Sequence, residues 1–352
     1  MKKTITVFLF LGVCTLHAQN ILSGLKITPA ISTPKSDGID EFSEGLARVQ
    51  VDGKQGFIDK NGIVVVPLKY DRASRFSEGL ARVEKDEKYG FVDKTGKEVI
   101  PLQYSDAGDF SEGLAEVRLN ENYGFIDATG QIRMPIQYDF LGNFSEGLAR
   151  VIKDGKEGFI NKAGEIVIIS DYDMVYPFSE GLARVKKDEK YGFIDAQGKE
   201  VIPIQYEYAE DFSEDLARVQ INGKYSFINK KGEVVLSPNY PFVKSFSGGL
   251  ALVSSHKGLY GFIAKDGREV IPVKYEHAYT FSDGLAAVLY KEKYGFIDPT
   301  GKVVIPFQYD RVNHFNGGIT SVLSGKNIFL IDRQGRCIAL CKDVPKKVLK
   351  KQ

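Results

Sequence analysis

One 34-residue pattern, written nine times in phase, leaves this chain little choice of architecture. The best copies open Phe-Ser-Glu-Gly-Leu-Ala-Arg-Val, and the phenylalanine recurs at Phe42, Phe76, Phe110, Phe144, Phe178, Phe212, Phe246, Phe281 and Phe315. The spacing is 34 at every step but one, which is 35. Self-similarity at such a period implies a modular array in which each unit buries its apolar face against its neighbours. Helical-hairpin repeats share this length, but the residues here refuse helix. Glycines and prolines recur at intervals shorter than a stable helix, and the apolar positions are β-branched or aromatic instead of spaced by three and four.

Within the first copy, Leu46 to Val51 alternates, Asp52-Gly53 makes a hairpin turn, and Lys54 to Asp59 returns. Lys60-Asn61-Gly62 then turns again before Ile63-Val64-Val65-Val66 and Pro67. The reading is an all-β fold of about three short antiparallel strands per unit. Glycine stands at the Gly62 position in all nine copies, as a positive-φ turn requires. The preceding Asp59, Asp93, Asp127, Asp195, Asp298 and Asp332, with Asn161 and Asn229, suit an Asx-turn that explains them together, without catalysis. Val fills the Val49 column in every copy, Ala the Ala47 column in eight and Phe the Phe57 column in eight, a composition suited to close inter-sheet packing. Each buried Phe contributes on the order of 2 kcal/mol. The one extra residue falls near Ser255-His256-Lys257, at an exposed turn tip, and His256 and His277 are both expected at the surface.

Both ends depart from the array. Lys2 and Lys3 precede an apolar run from Ile5 to Val13 and then Leu16-His17-Ala18, the pattern of a secretory signal over residues 1–18 with an apolar core too short to span a bilayer. Residues 19–41 read as a linker, 42–341 as the nine repeats and 342–352 as a basic disordered tail. Export is therefore expected, to the periplasm, the outer membrane or the outside, and not integral insertion. Removing two signal lysines leaves 45 basic against 46 acidic residues, so nothing argues for a nucleic-acid partner. Cys337 and Cys341 lie too far apart on a strand to bridge without a bend, so a thiol pair or a disulfide in a turned segment is expected and a metal site is not.

The return strands read Tyr89-Gly90-Phe91, Tyr123-Gly124-Phe125, Tyr191-Gly192-Phe193 and Tyr294-Gly295-Phe296. With the Phe-Ser-Glu-Gly-Leu-Ala opening and the Val-Ile-Pro-x-x-Tyr close, the chain resembles the bacterial WG (Trp-Gly) β-repeat family over residues 42 to about 335. The signature Trp is Tyr in six copies, Gln55 and Glu157 in two and Ile328 in the last. The resemblance implies an exported or cell-associated binding scaffold with no general catalytic residues or cofactor. An open, twisted, solenoid-like array is favoured over a closed β-propeller, because a 34-residue unit is short for a blade and the ninth copy lacks both Tyr-Gly and Pro-x-x-Tyr.

Candidate binding columns are two. Arg48, Arg82, Arg150, Arg184 and Arg218 recur on the same side as the acidic column Glu44, Glu78, Glu112, Glu146, Glu180, Glu214 and Asp283, so they read either as ion pairs lacing adjacent units or as a charged stripe for a partner. Leu252, Ala287 and Ser321 replace the arginine in copies seven to nine. Tyr70, Tyr104, Tyr138, Tyr172, Tyr206, Tyr240, Tyr275 and Tyr309 are either packing rings or a stacking platform for sugars. A protein-binding scaffold is the leading expectation and glycan or peptidoglycan binding the alternative; no copy carries the acid, base or nucleophile set that an enzyme would need.

Overall fold

A computed structural model describes residues 39–341. They form nine four-stranded antiparallel sheets, each with its strands in chain order, arranged as the blades of a β-propeller. In blade 2 the strands are Arg72–Ala73, Leu80–Lys85, Lys88–Asp93 and Glu98–Tyr104. The last three are those legible in the repeat. The fourth member of each sheet, its first strand, was not expected; in blades 1, 4, 5 and 7 it runs through the Phe column and in the other five it precedes it. In five blades it is only two residues long, too short to show alternation.

Register follows from the turns. Arg82 faces Phe91 and Val83 faces Gly90 across the central hairpin. The pairing of third with fourth strand then slips between Tyr89 and Phe91. That slip explains the signature glycine: a β-carbon on Gly90 would stand 2.6 Å from the carbonyl oxygen of Ile100. Blade 6 has Ser226 there, and its fourth strand is cut to Val234–Leu236, with Ser226 Oγ 2.9 Å from Ser237 Oγ. The Asx-turn is present as expected, Asp59 Oδ1 accepting from the backbone N–H groups of Asn61 and Ile63 at 2.8 and 2.9 Å.

Each apolar cluster lies between two blades, not within one. Phe57 and Tyr70 of blade 1 pack with Phe76, Ala81 and Val83 of blade 2. The rings of Phe57 and Phe76 meet at 4.7 Å, and the same edge-on or tilted pair repeats to Phe296 and Phe315 at 4.8 Å. Burying such pairs at each junction is what makes one unit depend on the next.

The favoured open array is corrected. Ile39 and Phe42 of blade 1 share a core with Leu330 and Ala339 of blade 9, and Asn313 Nδ2 donates to the carbonyl of Ile39 at 3.0 Å, so the ring closes. The degenerate ends are complementary to one another and do not act as caps. Closure also recruits Ile39–Glu41, assigned above to the linker, into the first strand of blade 1. The cysteines do bridge: the last strand ends at Ala339, Leu340 turns with φ 59°, and Cys337 joins Cys341. The signal of residues 1–18 and the tail of 342–352 lie outside the described residues.

Candidate functional site

The recurring columns are consumed by the blade junctions. Arg48 Nη1 donates to the carbonyl of Ala73 at 2.5 Å, and Arg184 and Arg218 reach Ala209 and Val243 in the same way at 2.6 and 2.5 Å. Arg82 makes the equivalent bond to Ala107. In each case an arginine on the second strand fixes the first strand of the next blade. Carboxylates add to these bonds: Asp211 pairs with Arg184 across a junction at 2.9 Å, whereas Asp40 with Arg48 and Glu210 with Arg218 pair within one blade. Arg150 instead turns to Glu157 in its own blade, where Glu157 replaces the signature aromatic. These arginines are half-buried or buried, an arrangement that suits the reading of lacing between units and not that of an open charged stripe.

The acidic column laces blades too, but not to the arginines. Glu44, Glu78 and Glu146 accept from the turn N–H groups of Gly79, Gly113 and Gly181 at 3.0, 2.8 and 2.8 Å, one blade on. Lys94 and Lys162 add ion pairs to Glu44 and Glu112 at 2.8 and 2.9 Å. The tyrosine column is core: Tyr70, Tyr104, Tyr138, Tyr206, Tyr275 and Tyr309 are all buried, whereas Tyr172 and Tyr240 are partly so. Tyr70 donates its hydroxyl to Glu98 of the next blade at 3.0 Å. These rings are not presented for stacking on a ligand.

Copy-specific residues around the axis remain. First strands surround it, and charges on blades 1, 2 and 7 (Glu41, Arg75 and Lys244) all act on His314 of blade 9. Between blades 1 and 2 lies a cavity of about 540 Å³ lined by Arg48, Gln55, Arg72, Arg82, Glu84 and Tyr89. Gln55 stands where six copies place tyrosine, and its shorter side chain bonds the Ala73 N–H at 2.8 Å. The cavity lining thus holds three arginines and one glutamate. Arg72 is its most exposed member, with Glu84 3.6 Å away.

Blade 3 carries an inversion of the arginine column. Glu116 occupies that position, lodged in the slot left by the missing side chain of Gly108. Burial pushes its carboxyl up to about 8. Across the axis, blades 7 to 9 gather Tyr260, His277, Tyr279, Tyr294 and His314, with ring centroids 4.8 to 6.2 Å apart. His277 is therefore half-buried among rings and not at the open surface as expected, while His256 is exposed. Burial lowers the pKa of both His277 and His314. Sequence reasoning missed the ring cluster because His277, Tyr279 and His314 lie in or just after first strands, outside the repeating pattern, and it missed Glu116 as a single departure within the arginine column. Among the described residues, no three His, Cys, Asp or Glu side chains are placed to hold a metal ion.

The model of the family described as WG containing repeat matches nine successive segments, from 31–54 and 56–89 through 260–294 and 294–327. Among solved structures, a eukaryotic initiation factor is similar at TM-score 0.56 and 10% identity, over 84% of this chain and 95% of that one. The computationally designed Ika8 protein (TM-score 0.43, 13% identity, 83% and 95% covered) and BamB from Moraxella catarrhalis (0.41, 10%, 83% and 98%) are also similar. No curated protein sequence matches the chain.

Proposed function

Because this chain belongs to the WG containing repeat family, its repeats building a propeller scaffold, we propose that it is an exported, non-enzymatic scaffold that binds a protein partner at its axial face, in the periplasm or at the cell surface. One observation carries this reading: the recurring polar columns are spent on blade junctions, Arg48 and Arg82 included, which leaves the copy-specific axial residues, above all the exposed Arg72 of the cavity, to meet another molecule. The exposed guanidinium of Arg72 beside a polar cavity suits an acidic or carbonyl-rich protein surface. Two features support export: the signal pattern of residues 1–18, and the Cys337–Cys341 disulfide, a bond that persists in oxidising compartments. No helix among the described residues is long and apolar enough to cross a membrane.

The test is a photo-crosslinking amino acid at Ser74, beside the cavity, used in intact cells with mass spectrometry of the adducts. The reading expects one dominant protein adduct that disappears when Arg72→Glu is added. Adducts that ignore Arg72→Glu, or that form equally from an outer position such as Arg336, contradict it. Glycan binding, the second reading, does not rest on the buried Tyr70 column. It rests on the separate ring cluster of blades 7 to 9.

A further inference from the structure

In blades 2, 5 and 6 the signature tyrosine is covered by the blade's own arginine: Arg82 lies 5.6 Å from the Tyr89 ring, Arg184 5.6 Å from Tyr191 and Arg218 4.6 Å from Tyr225. Blades 7 and 8 replace that arginine with Leu252 and Ala287, both buried. Tyr260 and Tyr294 therefore lack their own blade's arginine, although the Arg311 charge of blade 9 acts on Tyr294, and the neighbouring first strands supply more rings in its place. His277 lies 5.5 Å from Tyr260 and 4.8 Å from Tyr279, and Tyr279 lies 4.9 Å from His314. Tyr294 shares a hydrogen bond with His277 Nδ1 at 3.4 Å. The five rings form one continuous, half-exposed wall across three consecutive blades.

Charge beside this wall is positive. Lys244 is exposed, forms no ion pair among the described residues, and is close enough to both imidazoles to disfavour their protonation. Glu41, the acid nearest His314, is held by Arg75 at 2.9 Å. An uncommitted ammonium next to neutral imidazoles and tyrosines offers a carboxylate contact, hydroxyl and imidazole hydrogen-bonding groups, and ring faces for apolar C–H surfaces.

We propose that this wall binds a carboxylated sugar unit of an anionic glycan, with the ring wall around Tyr279 packing on the pyranose and Lys244 receiving the carboxylate. A neutral sugar leaves Lys244 unused, and an acidic peptide leaves the ring faces unused. The site is separate from the arginine-lined cavity of blades 1 and 2, so it stands whether or not a protein binds there.

Calorimetric titration of the mature chain with trigalacturonate, maltotriose and triglutamate tests it. Trigalacturonate is expected to bind at least tenfold more tightly than either comparison compound. Lys244→Gln and Tyr279→Leu, each checked for an unchanged melting curve, are each expected to weaken it at least tenfold. Lys244 is exposed, so its variant keeps the test valid even if the Tyr279 variant fails to fold. Absence of binding by the folded wild type, equal binding of triglutamate or maltotriose, or indifference to Lys244→Gln overturns the proposal.

Discussion

Leu340 rests against Gly62, its Cδ2 3.0 Å from the point where a β-carbon on that glycine would stand. At most other junctions, Gly96 excepted, the turn glycine meets the side chain of a residue of the preceding blade one position earlier in the pattern: Ile100 at Gly130, Ile202 at Gly232, Ile305 at Gly335. Ala339 holds that earlier position in blade 9 and is too small to fill it. The Cys337–Cys341 bridge closes the tight turn that swings Leu340 into the gap.

Removing that bridge should therefore loosen the seam between blades 9 and 1. A short loop of this kind is worth about 2 kcal/mol. Cys337→Ser with Cys341→Ser is expected to lower the urea midpoint, and dithiothreitol to reproduce the shift in the wild type only. An unchanged midpoint would show that the turn holds without the bridge.

Two glycine substitutions separate packing from backbone strain. Gly79 has φ 83° with open space around it, so Gly79→Ala should cost about 1 kcal/mol of left-handed strain. Gly90→Ala drives a methyl into the carbonyl of Ile100 and should cost about 3 kcal/mol. Equal losses in thermal unfolding would contradict the crossing geometry of the fourth strand.

Arginines of one sequence column should differ by burial. Arg218 is buried with Glu210 half-buried beside it, and Arg218→Met leaves that carboxylate without its partner, at about 3 kcal/mol. Arg48 and Asp40 are more exposed, so Arg48→Met should cost under about 1 kcal/mol. Denaturant titrations of the two variants measure the difference.

Glu116 makes stability depend on pH in an unusual direction. Its folded carboxyl is raised by burial to about 8, above the 4.5 of the unfolded chain. Between those values the native state holds a proton that the unfolded state has lost, so this contribution is complete below pH 4.5 and disappears as pH rises through 8. Glu116→Gln should flatten that decline and melt higher than the wild type at pH 8.5. A variant with an unaltered pH slope would place the buried proton elsewhere.

Much of the fold was legible because it repeats: turn glycines, Asx residues, Val and Phe columns and the all-β class all follow from nine aligned copies. Closure was not, since Leu330, Ala339 and Leu340 look like decay until Phe42 and Gly62 are seen opposite them. The axial groups were hidden for the converse reason. Arg72, Tyr279 and His314 occupy positions that differ from copy to copy, so a consensus discards them. The tyrosine and arginine columns were legible as patterns, but burial alone decides whether a repeated side chain faces a neighbour or the solvent.

Spin labels measure the closed ring most directly. Asn61, Thr95 and Gln334 sit at the same place in the turns of blades 1, 2 and 9. Pulsed electron resonance on Asn61→Cys with Thr95→Cys gives the distance between neighbouring blades, and Asn61→Cys with Gln334→Cys gives the distance across the seam. A closed nine-bladed ring predicts coincident distributions. A seam distance much longer than the neighbour distance would contradict closure and restore an open array.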